Sequence, residues 1–379
     1  MTLIVNKFHS YHSGVLPKGC QYCVKGEKLV LFVTGLCPRK CYFCPVSDDK
    51  ISKDVAFANE RKVFSSQDVI EEAKLMNAKG AGITGGDPLS KVDRSVRFVK
   101  KLKEEFGPEF HIHLYTSLRL VSDDALQKLY MAGLDEIRFH PDLDSEQFWS
   151  KLELVRKFPW DVGIEVPLVP GKEKELIKLV DYIHDKISFL NLNELEVSDN
   201  SCSKLLEMGF EVKDQMSYAV LGSLELGLKI IDYVKSKEYN LSVHVCTAKL
   251  KDATQLANRI IRESEGAKKD FDIVDKEGML TRGALYLDSL KPGAGYRESL
   301  KEDHSVVIDK LKELFSSVQK KLKLNDNDIF LDESKPRILV SKKVAKKNKT
   351  QIINLGLIPA IVTEYPTADQ LEMEVEFLN

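Results

Sequence analysis

The sequence predicts an α/β fold with a parallel sheet over its first two-thirds and a small α+β domain after it. Three observations predict this. Short apolar runs alternate with helical stretches from Leu29 to Cys246, which is the pattern of βαβ units. Seven of those runs read as strands, and several end in polar or glycine-rich segments. The alternation stops near residue 265.

Taken in order, residues 1–27 read as an irregular extension carrying Cys20-Gln21-Tyr22-Cys23. Leu29 to Thr34 is a buried strand, rich in branched residues and closed by Gly35. Ser65 is an N-cap with Asp68 in capping-box position, and the helix it starts ends before Gly80. Strands follow at 81–84, 110–116, 135–139, 162–168, 189–197 and 241–246. Helices are expected at 92–106, from Ser122 to Gly133, at 144–157, from Pro170 to about 185, at 221–236 and at 248–262. Beyond that, 305–322 is an amphipathic helix among short extended segments. The domain reading is an extension over 1–27, an α/β domain over 28–265 and a small α+β domain over 266–379.

The chain has 379 residues and a net charge of −2, so the whole molecule is no obvious polyanion binder. No apolar run approaches the roughly 20 residues of a membrane span, and Met1 to Ser10 lacks a signal-peptide pattern. A cytoplasmic location is expected. Seven cysteines in that compartment point to metal ligands rather than disulfides.

The chemistry concentrates in Cys37-Pro38-Arg39-Lys40-Cys41-Tyr42-Phe43-Cys44, directly after the first strand. Three thiolates can hold three irons of a 4Fe–4S cubane and leave the fourth iron open. A structural zinc site would want a fourth ligand close by, and none follows within a dozen residues. The alternatives are a zinc knuckle or a chance group of free thiols. With Phe43 before the third cysteine, the motif resembles that of the radical S-adenosylmethionine (SAM) superfamily. Gly85-Gly86-Asp87-Pro88 after the second strand resembles that superfamily's Gly-Gly-Glu-Pro segment, with Asp replacing Glu. The segments Lys18 to Cys20, Phe32 to Cys37, Gly82 to Pro88 and His111 to Ser117 are similar to archaeal-type radical SAM proteins related to the pyruvate formate-lyase activating enzyme.

The resemblance implies a partial (β/α)6 barrel with its chemistry at the C-terminal ends of the strands. It implies a 4Fe–4S cluster on Cys37, Cys41 and Cys44, with SAM chelating the open iron. One electron, from a donor such as ferredoxin or flavodoxin, would cleave SAM to a 5′-deoxyadenosyl radical that abstracts a substrate hydrogen. Gly85, Gly86 and Asp87 are the expected SAM contacts, with Thr116, Ser117, Glu165 and Asn193 as further strand-end candidates. Each of these four also reads as a satisfied polar core residue. The resemblance names no particular substrate and no catalytic residue.

Two further features stand apart. Cys20, Cys23, His244 and Cys246 offer ligands for a second metal, zinc or iron–sulfur; the alternative is two pairs of reduced side chains. Lys342 to Lys349 is the most basic run, suited to RNA phosphates or to a solvated surface loop. The readings in competition are thus a radical SAM enzyme acting on a protein or peptide, one modifying RNA, and a non-enzymatic iron–sulfur or zinc protein. No membrane or DNA partner is expected.

Overall fold

A computed structural model describes residues 3–378. The chain divides into two compact units, Met1–Arg259 and Ile260–Asn379.

The first unit is a barrel left open on one side. Its elements in chain order are β1 (Ile4–Val5), β2 (Tyr11–Ser13), α1 (Lys18–Cys23), β3 (Lys28–Phe32), β4 (Phe57–Ala58), β5 (Arg61–Lys62) and α2 (Ser66–Leu75). Then come β6 (Gly80–Thr84), α3 (Val92–Phe106), β7 (His111–Ser117), α4 (Asp123–Ala132), β8 (Glu136–His140) and α5 (Leu152–Val155). The unit continues with β9 (Asp161–Leu168), α6 (Glu173–Ile183), β10 (Phe189–Glu194), α7 (Ser223–Ser236) and β11 (Ser242–Cys246). Strands β3, β6, β7, β8, β9, β10 and β11 are parallel neighbours in that order. Seven parallel strands are what the apolar runs predict. Outward residues such as Leu29, Leu31 and Val33 are fully buried under the helices, each contributing roughly 1.5–3 kcal/mol. The capping box at α2 forms as expected, with Ser65 and Asp68 bonding each other's backbone amides.

Three expectations are corrected. Residues 1–27 are not irregular: β2 pairs antiparallel with β11 and covers that sheet edge, and α1 packs against β3, β6 and β7. The helix expected over 144–157 shrinks to a turn and α5. Its side chains are committed elsewhere: Asp144 pairs with Lys172, and the Trp149 indole donates to the Asp142 carbonyl. The basic run is not a loop; Lys342–Lys347 is helical, capped by Ser341, with Ala345 buried.

The second unit is an antiparallel sheet in the order Ile329–Asp332, Arg337–Val340, Leu280–Tyr286, Ile358–Glu364 and Glu372–Phe377, with Ile273–Val274 on the central strand. One face packs on helix Ser305–Leu322. The other buries Arg337, which donates to both Glu364 oxygens at 2.8 and 2.7 Å and to Asp332 at 3.2 Å. Among the described residues no helix is long and apolar enough to cross a membrane.

Helix α1 seals the N-terminal end of the barrel. The Gly19 amide donates to Glu136 Oε2 at 3.1 Å. A Cβ on Gly19 would come within 2.5 Å of Arg138 Nη2 and 2.9 Å of Glu136 Oε1, so only glycine admits the helix this deeply. The variant Gly19→Val is expected to push α1 outward. Cys20, now 7% exposed, should then react with a thiol reagent at least about tenfold faster, as local opening predicts; an unchanged reaction rate would show that α1 is not held by this approach.

Candidate active site at the C-terminal rim

The cysteine loop leaves β3 and returns to β4, and its base is tied shut. Gly35 N donates to the Lys53 carbonyl at 2.9 Å, and Ser52 N to the Gly35 carbonyl at 3.0 Å. Asp54 accepts from Thr34 Oγ1 at 3.0 Å and from Arg94 at 2.6 and 3.1 Å, while Arg94 also holds the Val33 carbonyl. Arg94 and then Lys91, 2.9 Å away, with a smaller part from Thr34, hold the Asp54 carboxyl well below the usual range. Sequence reasoning missed Asp54, Arg94 and Arg39. Arg39 donates to the His140 carbonyl at 2.9 Å and pairs with Asp142 at 2.6 Å, fastening the loop to the end of β8. Phe43 stacks on His140 with ring centres 6.0 Å apart. Burial, helped by Arg39, pushes His140 down to about 3, so this imidazole is neutral. A cleft opens here, lined among others by Cys41, Tyr42, Phe43, Arg119, His140 and Val169.

Cys37 is exposed, and Cys41 and Cys44 are half-buried; none is in a disulfide. The Arg39 amide donates to Cys37 Sγ at 3.4 Å, and the Val46 amide serves Cys44. Burial pushes the Cys37 thiol up to about 11 and raises the other two. Binding iron would therefore release protons. Asn200, on the loop after β10, donates to the Cys44 carbonyl at 3.0 Å and accepts from Cys202 N at 2.9 Å.

The glycine turn after β6 lies against this loop. Gly86 N donates to the Thr34 carbonyl at 2.7 Å and Asp87 N to the Leu36 carbonyl at 2.8 Å. Gly85 has φ of +155°, and a Cβ there or on Gly86 would sit 2.5 Å from the Thr34 or Leu36 carbonyl oxygen. These glycines are required by the loop itself, whatever else they contact. Asp87, Thr116 and Ser117 are brought to one another. Asp87 Oδ1 accepts from Thr116 Oγ1 at 2.6 Å, and Oδ2 accepts from Ser117 Oγ at 2.6 Å and Ser117 N at 3.1 Å. Asp87 is 1% exposed. The shorter acid thus ties the turn to the end of β7.

A profile of the Radical SAM superfamily matches residues 31–188. A Methanocaldococcus jannaschii protein named as a candidate glycyl-radical enzyme activating enzyme is 38% identical over 379 residues, spanning 98% of this chain and 95% of its own. The chain belongs to the radical SAM superfamily. Solved structures similar to this radical SAM protein include methylornithine synthase, 14% identical over 60% of this chain and 71% of its own, with a TM-score of 0.38. Another is Escherichia coli coproporphyrinogen III oxidase, 11% identical over 90% and 93%, with a TM-score of 0.36.

Membership implies a 4Fe–4S cluster and SAM. The rim fits both: three free thiols share one loop with backbone N–H donors to sulfur, and a glycine turn too tight for any Cβ abuts it. The second metal set fares differently. Cys20 Sγ accepts from Asn191 Nδ2 at 3.3 Å and Arg138 Nη2 at 3.5 Å. Cys246 packs with Val24, Leu250 and Phe8, and both ring nitrogens of His244 are buried without a partner. A second metal on Cys20, Cys23, His244 and Cys246 is not shown: Cys20 is hydrogen-bonded to Asn191 and Arg138, and Cys246 packs among apolar side chains.

Inside the barrel the alternate residues of β7 and β8 form a polar column with Lys28 of β3; Arg138 and His140 are strand-end candidates by sequence, while Lys28, His111, His113, Tyr115 and Glu136 were missed. Lys28 Nζ donates to His111 Nδ1 at 2.9 Å and to the His111 carbonyl. His113 Nε2 and the Tyr115 hydroxyl share a hydrogen bond at 3.1 Å. Arg138 donates to Tyr115 at 3.0 Å, to Glu165 Oε2 at 2.8 Å and to Glu136. The signal was the period-two polar pattern of His111, His113, Tyr115 and of Glu136, Arg138, His140.

Two predictions follow from this geometry. Gly86→Val is expected to destabilise the fold by about 1–3 kcal/mol and to lower iron content as well as SAM binding. Full iron with weakened SAM binding would separate the turn from the loop. The second concerns Lys28, which burial pushes down to about 7. The unfolded chain keeps that proton to about pH 10.4, so it binds more protons than the native state between pH 7 and 10. Stability from this group therefore rises with pH across that window, and the cost is fully present below pH 7. Relative to wild type, Lys28→Met should be more stable at pH 6 than at pH 9 by about 2–3 kcal/mol, read from urea midpoints. A pH-independent difference would place the native Lys28 outside this window.

Proposed function

We propose that this radical SAM protein abstracts a hydrogen atom from a protein or peptide, with its cluster on Cys37, Cys41 and Cys44. The observation that carries the proposal is the pair of hydrogen bonds from Gly86 and Asp87 to Thr34 and Leu36, which holds the glycine turn against the cysteine loop. The turn's amides are spent on that loop, so the carbonyls of Gly85 and Gly86 are the acceptors we assign to the SAM ammonium. Phe43 and His140 supply an aromatic wall to the adjoining cleft. Bound together, cluster and SAM supply a 5′-deoxyadenosyl radical once an electron arrives, in keeping with a ferredoxin- or flavodoxin-type donor. The protein's part is to orient the two and to exclude water. Asp87 fixes the turn through Thr116 and Ser117, and Arg39 fixes the loop to β8. The macromolecular substrate is supported by the name of the M. jannaschii relative. The RNA alternative gains nothing: the basic helix turns Ala345 to the sheet and pairs Lys346 with Glu376.

Anaerobic reconstitution should give about four iron and four sulfide per chain. With SAM and dithionite it should yield 5′-deoxyadenosine. Cys37→Ala, Cys41→Ala and Cys44→Ala should each lose the cluster absorbance and this product. A variant that retains both overturns the ligand assignment.

A further inference from the structure

Below the rim, the barrel presents hydrogen-bond acceptors that the cofactor assignment does not use. Glu165 lies on β9 three residues before that strand ends at Leu168. Its Oε2 accepts from Arg138 Nη1 at 2.8 Å and Asn191 Nδ2 at 2.9 Å; its Oε1 accepts from Asn193 Nδ2 at 3.0 Å. A carboxylate offers about four lone-pair sites, so Oε1 has room for another donor. Its side chain is 15% exposed, whereas Arg138 is at 3% and Glu136 at 0%. One guanidinium thus serves two carboxylates, and Glu136 holds the deeper position. Asn191 pairs in register with Glu165 and is 2% exposed, yet its Oδ1 has no donor.

The other charges of the barrel do not supply that donor. Lys251 is paired with Glu196, and Lys28 is bonded to His111 at the sealed end. His113 Nε2 shares its hydrogen bond with Tyr115, and neither ring nitrogen of His244 has a partner, so neither histidine bonds Glu165 or Asn191. Two neighbouring acceptors therefore lie side by side on β9 and β10, the Glu165 carboxyl, which shares Arg138 with Glu136, and the unpartnered Asn191 Oδ1. Such a pair favours a cation with several N–H groups, and a planar guanidinium can address both at once.

We propose that Glu165, with Asn191 and Asn193 beside it, is a seat for a guanidinium of the substrate, an arginine side chain near the carbon that gives up its hydrogen. The arginine-bearing substrate rests on the peptide reading above; the seat itself rests on Glu165 and Asn191.

The test has two arms, chosen so that the two ideas fail separately. In the first, reconstituted protein with SAM and no reductant is titrated with N-acetyl-arginine amide or with its neutral isostere N-acetyl-citrulline amide, followed by ligand-detected NMR. Wild type should bind the arginine compound at least about tenfold more tightly, the scale of a charge-assisted bidentate contact, and Glu165→Gln should abolish the preference. Equal binding of the two compounds by wild type overturns the seat, even if the variant fails to fold. An undiminished preference in folded Glu165→Gln overturns it too. In the second arm, blocked pentapeptides with a central α-deuterated glycine flanked by arginine or citrulline are incubated with reductant, and deuterium in 5′-deoxyadenosine is measured by mass spectrometry. More deuterium from the arginine peptide supports both ideas. Selective binding in the first arm with no deuterium from either peptide keeps the seat and removes the glycyl-peptide reading. Equal deuterium from the two removes arginine recognition from turnover.

Discussion

The structure of the barrel depends on where one buried guanidinium can find its partners. Arg138 is 3% exposed and cannot be deprotonated at any working pH. It must therefore be surrounded by acceptors, and it is: Glu136, Glu165, Tyr115 and the Cys20 sulfur all receive its N–H groups. Those acceptors come from β7, β8, β9 and the N-terminal helix. A buried charge that loses a partner costs several kcal/mol, so these four elements are held in one relative arrangement. The sealed end of the barrel and the carboxylate nearer its mouth are consequences of the same requirement.

The rim obeys a second constraint of the same kind. The cysteine loop carries backbone groups that need partners away from regular sheet. Thr34 and Leu36 give their carbonyls to the glycine turn, Gly35 bonds the loop's own far end, and Val33 gives its carbonyl to Arg94. Asp87 then anchors the turn to β7 by accepting three hydrogen bonds from Thr116 and Ser117, and takes a fourth locally from Leu89 N. This explains how aspartate serves where the resemblance leads one to expect glutamate: the side chain reaches only the end of the neighbouring strand, and that is where its partners are. It also means that substitutions in the turn act on the cysteine loop.

The second unit uses a comparable device for a different end. Arg337 is fully buried against Glu364 and Asp332, and Arg282 against Asp272 and Glu364. Buried networks of this sort contribute little net stability compared with apolar packing, but they penalise any strand register that separates the partners. They join Leu280–Tyr286, Arg337–Val340 and Ile358–Glu364, the three central strands of the sheet.

Much of this was legible in the sequence because it is encoded locally. Short apolar runs alternating with helical stretches marked the seven parallel strands, since each must bury its outer face under a helix. Ser65 with Asp68, and Gly133 after α4, marked helix ends because caps are satisfied by neighbours within a few residues. The three cysteines and the glycine turn identified the superfamily because cluster-type spacing is a property of one short loop. Other features were decided only by tertiary structure. That α1 seals the barrel, that Asp87 meets Thr116 and Ser117, and that Asp54 pins the loop base are contacts across 20 to 117 positions of sequence. The same holds for Cys20, whose sulfur accepts from Asn191 and Arg138, and for Cys246, which packs with Val24 and Leu250. A buried polar group takes whichever partner the packed strands bring within hydrogen-bond reach, and that partner is fixed by register and closure of the sheet, which no local stretch of sequence contains.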